Sequence, residues 1–135
     1  MTLTRTARIW IDDRVVHCVA LPEVENVLAD AVENFAAMWE VAGRRRRPVL
    51  IDLRALQAID RAARTHYAGP ASLRHHLAVA MLIGSPLGLL IGNFFISLSK
   101  PLIPAKLFVS EPEALAWLRR SMLDDAPSLA PGPPT

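Results

Sequence analysis

The side chains able to do chemistry are few and scattered. His66, His75 and His76 invite a metal or acid–base reading, yet no His-x3-His or Glu-x-x-His pair sets two of them on one helix face. Adjacent His75 and His76 point to different faces of any regular element, so at most one could join His66 in a shared site. Solvated histidines are the plainer expectation. Cys18 has no companion thiol for a metal or a bridge. Asp52 and Asp60 offer two carboxylates for general acid–base work, but no pattern identifies a substrate pocket between them. A nucleophile elbow, a phosphate-binding glycine loop and a dinucleotide fingerprint are all missing, because the six glycines fall at turns and in the segment from Pro86. The expectation is a protein with no catalytic residues, no metal and no cofactor.

The remaining concentration of charge is the run Arg44-Arg45-Arg46-Arg47. It follows an amphipathic segment ending near Ala42-Gly43, where cations complement the negative end of a helix dipole before a strand begins. The net charge is only +2 and no aromatic residues interleave with the arginines, so no nucleic-acid partner is expected. With 135 residues, 52% of them hydrophobic and 21% charged, the chain fits one α/β domain with a real core, over residues 1–123. Residues 124–135 are rich in proline and read as a disordered tail. The lone cysteine, and a start without a secretory pattern, make the cytoplasm the expected compartment.

Leu77 to Leu98 carries no formal charge over 22 residues, which is long enough to cross a bilayer. Gly84-Ser85-Pro86 divides it, however, and Ser85 followed by Pro86 is the signature of a helix start. A strand and then a buried helix are expected, with no membrane span.

The elements that must position these residues follow from periodicity. Ala7–Ile11 and Val15–Leu21 form a hairpin around Asp12-Asp13-Arg14. Pro22 opens a helix on which Val24, Val27, Leu28, Ala31, Phe35, Met38, Trp39 and Ala42 share the core face, with Glu25, Asn26, Glu33, Asn34 and Glu40 on the other side. Pro48 to Leu53 is an apolar run fit for a central strand buried on both faces. Asp60 caps a helix from Arg61 to about Tyr67, Leu77 to Ile83 is a strand, Pro86 to about Leu98 a helix, and Lys106 to Val109 the last strand. Ser110 and Glu113 make a capping pattern for a final helix. Strands spaced by about thirty residues with a helix between are parallel crossover units. The predicted fold is therefore a mixed sheet of about five strands, an antiparallel hairpin followed by parallel βα units, with about four helices.

This order resembles the STAS domain, the fold of anti-sigma-factor antagonists. The likeness is sharpest from Val49 through Leu53 and Ala55 to Asp60, similar to that family's strand, apolar loop and aspartate leading into a helix. More narrowly, Ala7 to Met122 resembles an uncharacterised bacterial group of STAS-like domains that has also been compared with CRAL-TRIO lipid-binding folds. Asp60-Arg61-Ala62-Ala63-Arg64, Gly92-Asn93-Phe94-Phe95 and Glu113-Ala114-Leu115-Ala116-Trp117-Leu118 are the segments that carry it.

The departure is equally informative. Where phosphoswitch members place a serine or threonine after the aspartate, this chain has Arg61-Ala62-Ala63, which cannot accept a phosphoryl group, and Thr65 is displaced. Asp60, Arg61 and Arg64 are instead the expected partner-facing or anion-facing patch at the carboxyl edge of the sheet; the plainer alternative is that Asp60 caps the helix and pairs with Arg64. The resemblance and the missing chemistry together imply a non-catalytic, regulatory protein-interaction module with an unidentified protein partner. The alternative is an apolar small-molecule or lipid-binding domain, motivated by the apolar helix from Pro86. Gly88 and Gly92, four apart, make a small-residue stripe that would pack on the sheet or on a second copy in a homodimer.

Overall fold

The computed structural model describes residues 1–70, 74–99 and 102–129. In chain order its elements are β1 (Thr2–Leu3), β2 (Ala7–Asp12), β3 (Val15–Ala20), β4 (Glu25–Asn26), α1 (Leu28–Val41), β5 (Arg47–Asp52), β6 (Ala58–Ile59), α2 (Arg61–Ala68), β7 (His76–Leu82), α3 (Pro86–Ser99), β8 (Ala105–Phe108) and α4 (Glu111–Leu129). The predicted hairpin forms, with Asp12 opposite Val15. Asp13 and Arg14 take φ of 49° and 66°, the two left-handed residues by which a two-residue turn matches the twist of its strands.

The main sheet runs β1-β2-β3-β5-β7-β8, antiparallel through β3 and parallel from there on, while β4 and β6 pair separately. The predicted central strand is β5, held between β3 and β7. Strand alternation divides the core. Ile9, Val16, Val49 and Val79 face Met38 of α1 and Phe95 of α3, whereas Val15, Leu50, Ala80 and Leu82 face Ala114 and Leu118 of α4. Among the described residues, three helices therefore cover one face and a single helix the other.

Helix α1 begins at Leu28 and not at Pro22 as its periodicity suggests. Glu23 sits at φ 61°, which no right-handed helix accepts, and Glu25–Asn26 are drawn into β4. Val27 brings no capping oxygen, so the Asp30 carboxylate accepts the Val27 N–H at 2.9 Å and satisfies one of the free donors at the helix start. Arg5 holds the same carboxylate through Nε at 2.8 Å, tying the entry of α1 to the loop before β2. At the other end Gly43, at φ 70°, lets the Gly43 and Arg44 N–H groups bond back to Glu40 and Trp39, a closing turn that needs a residue free of Cβ strain.

Helix α2 is capped as expected: the Asp60 carboxylate accepts the Ala63 N–H at 2.8 Å. The apolar stretch Leu77 to Leu98 is divided as predicted, with the Ser85 hydroxyl accepting the Gly88 N–H at 3.0 Å, and no helix among the described residues is long and apolar enough to cross a membrane. Gly88 and Gly92 face their own sheet. A Cβ on Gly92 would lie 2.6 Å from a methyl of Leu107, so the glycine is what lets α3 approach β8. Helix α4 continues to Leu129, past Asp124 where the sequence reading begins the tail and through Pro127. Residues 130–135 of that predicted tail lie outside the described residues.

Two measurements check this frame. Burial, with smaller contributions from His75 and Arg46, pushes the His76 imidazole down from 6.5 to about 4. A depressed base stabilises the fold above pH 6.5 and loses that contribution as pH falls towards 4. Urea unfolding is expected to show a loss of at most roughly 3 kcal/mol across that window, reduced in His76→Gln; an unchanged slope in the variant refutes the assignment. Asp60→Ala is expected to cost about 1 kcal/mol and Asp60→Asn much less, by the same method.

Candidate functional site

The structure parts the residues that the sequence grouped as a patch. Asp60 is committed to its cap, Arg61 is exposed, and Arg64, one turn on, is half-buried. Arg64 forms no ion pair with Asp60 or with any other described carboxylate. Its guanidinium carbon stands 5.4 Å from the centre of the Phe94 ring on α3, and its Nε is buried without a hydrogen-bond partner among the described residues. Ala63 is fully buried, and the Thr65 hydroxyl donates to the Arg61 carbonyl at 2.9 Å inside α2.

Arg64 turns inward because there is room for it. Between the sheet and the layer of α1, α2 and α3 lies a cavity with about 630 Å³ of empty space, counted out to its open mouth, of which about 60 Å³ admits the centres of water-sized molecules. That is enough for several waters or for part of an organic ligand. The floor explains the space. Ala7, Cys18 and Ala20 of β2 and β3 are small side chains where the helices above cannot descend to meet them. Leu56, Ile59, Ile91 and Phe95 make apolar walls, and the described lining contains neither aspartate nor glutamate.

One corner is polar. Asn34 of α1 is 2% exposed, contrary to its placement on the solvent side by sequence periodicity. Its amide donates to the Thr6 hydroxyl at 2.8 Å and to the Tyr67 hydroxyl at 2.9 Å, while its carbonyl accepts from the Thr4 hydroxyl. Asn26, also assigned to the solvent side, is buried and donates to the Ala58 carbonyl at 3.4 Å. These hydrogen bonds are what make the burial affordable. Burial pushes the Tyr67 phenol up, so it stays protonated, and raises the Cys18 thiol to about 12, which leaves it a neutral wall of the cavity.

His76 is buried, while His66 and His75 are half-buried and packed against aromatic rings. His75 and His76 both meet Phe35, at ring separations of 5.2 and 5.9 Å, and His66 stands 6.3 Å from the same ring. The adjacent pair reaches one ring because His75 lies in the turn before β7, outside the strand alternation that would have separated them. Among the described residues no group of three metal-ligating side chains comes together. Asp52 is bound by Arg54, at 2.8 Å from Nη2, and Arg54 also reaches Glu111 at 3.3 Å; Asp52 follows Leu50 on the α4 face, whereas Asp60 serves α2 on the opposite face. The two carboxylates are not a pair. In the arginine run, Arg47 Nε donates to the Ala42 carbonyl at 2.8 Å and Arg44 pairs with Glu40 at 2.8 Å, closing the end of α1, while Arg46 donates to the His76 carbonyl at 3.1 Å at the start of β7.

The comparisons agree with this architecture. A crystal structure of an uncharacterised protein of the DUF3478 family with a SpoIIAA-like fold, from Shewanella loihica PV-4, superposes with a TM-score of 0.61 at 16% identity, covering 87% of this chain and 98% of that one. The fold is accordingly SpoIIAA-like, the STAS type that the segments from Val49 to Asp60 resemble. No curated protein matches the chain. Residues 9–122 match the model of DUF7793, a domain of unknown function, and the chain belongs to that family.

Proposed function

We propose that this chain is a non-catalytic regulatory module that takes an apolar small molecule into the cavity under α1, α2 and α3 and passes its occupancy to a protein partner. The cavity carries the reading. Packed interiors hold few voids larger than a water molecule, and an open cavity with apolar walls and one polar corner is the usual form of a small-molecule site. The loop at the start of α2 supports it from the other side. Arg61-Ala62-Ala63 offers no phosphoryl acceptor, and a hydroxyl introduced at buried Ala63 would face the interior, so another input has to act on this helix. Helix α2 meets both environments, with Arg64 and Tyr67 lining the cavity and Arg61 and Thr65 exposed. A ligand that binds only the folded chain stabilises the elements it touches, which gives occupancy a route to the outer surface.

Native mass spectrometry of the full chain, purified without detergent, is expected to show a small-molecule adduct that is lost on denaturation. An apolar fluorescent probe should bind the emptied protein with one site per chain, and Ala20→Phe or Cys18→Leu, which fill the floor, should weaken it at least about tenfold. Hydrogen exchange in α2 and α3 should slow on binding. Probe binding that is the same in both filled variants, with folding verified by circular dichroism, overturns the proposal.

A further inference from the structure

Two side chains of α2 bring hydrogen-bond donors to the cavity. The first is Arg64, whose Nε is buried and whose guanidinium makes only the ring contact with Phe94 among the described residues. The second is the Tyr67 hydroxyl, which lies 2.9 Å from the Asn34 amide and has a proton free to rotate towards a ligand in the cavity. Arg64 and Tyr67 are three residues apart on α2 and so lie on one side of the helix, and both line the cavity.

We infer that the ligand of this cavity is an apolar monocarboxylate whose acid group accepts hydrogen bonds from Arg64 and Tyr67 while its hydrocarbon part lies among Leu56, Ile59, Ile91 and Phe95. This rests on the reading of the cavity as a ligand site and names the chemistry that it selects. A carboxylate is acceptor-only, carries one charge to set against the single cation of the lining, and is planar as the guanidinium is. A neutral alcohol leaves the Arg64 charge uncompensated, an amine is repelled by it, and a phosphate brings a second charge that no other cation in the described lining meets. The walls, in turn, reject a short hydrophilic acid, because they return nothing for the water it would displace.

The test compares decanoic acid with 1-decanol, a pair differing at the polar end only, by calorimetric titration of the emptied full chain at neutral pH. Decanoate is expected to bind at least about tenfold more tightly than decanol. Arg64→Gln should remove that preference while leaving decanol binding within about twofold, and Tyr67→Phe should lower decanoate affinity about threefold or more with the same control. The decanol measurement also shows whether each variant retains its folded cavity. If decanol binds wild-type protein as well as decanoate does, the acid-binding inference is wrong and the cavity reading stands. If neither ligand binds, both fail. If decanoate is preferred but the preference survives Arg64→Gln, the acid lies elsewhere and the assignment to Arg64 is overturned.

Discussion

The side-chain amide of Asn34 is the constraint around which the helical layer is arranged. A buried amide without partners costs several times what a hydrogen bond returns, so the fold must bring three other side chains to it or lose stability. Thr4 and Thr6 do so from the loop before β2, and Tyr67 from the far turn of α2. One residue on α1 thus sets where two other segments lie. The ion pair of Arg5 with Asp30, one turn earlier on α1, fixes the same loop to the same helix. Together they hold α1 and α2 at a defined height over the sheet.

That height is why the cavity stays open. A layer free to settle would close on Ala7, Cys18 and Ala20, since van der Waals contact is lost wherever a void is left. The polar corner resists this, because lowering α2 would break the bond from Asn34 to Tyr67, and α1 cannot follow while Asp30 is held by Arg5. On the far side Gly92 draws α3 onto β8, closing the cavity wall there. On the opposite face Ala114 and Leu118 of α4 descend fully onto Ala80 and Leu82, and the polar groups buried there, His17 and Asp52, leave α4 in contact with the sheet.

Much of the framework was legible in the sequence, and the reasons are local. The hairpin, β5, β7, the break at Ser85-Pro86 and the cap at Asp60 each follow from a few neighbouring residues whose propensities agree. The start of α1 was not legible, because the φ of Glu23 and the pairing of β4 with β6 answer to partners more than thirty residues away. Strands of two residues carry no period at all. Asn26 and Asn34 were assigned to solvent since polarity is the only cue a sequence offers, and the partners that make their burial tolerable come from other segments. For the candidate site, the sequence reading sets Arg64 in a surface patch; its direction depends on small side chains in β2 and β3 that leave space beneath it. Tyr67 had no signal beyond its place one turn from Arg64.

Helix α2 has only eight residues, too short to owe its position to its own hydrogen bonds. It stays where its cap and its inner face hold it. The cap, Asp60, follows β6 and does not itself line the cavity, so the start of the helix is anchored by a bond that no ligand there would replace. The later turns rest on Ala68, on the Tyr67 bond to Asn34 and on the contact of Arg64 with Phe94, two of which lie at the cavity itself. Under the proposed function, a helix pinned at one end and resting at the other on a space of variable content would convert that content into a change at its exposed residues. In phosphoswitch STAS domains the charge arrives at the pinned end; in this chain the end is sealed by Ala63, and the side left open to change is the one that Arg64 and Tyr67 face.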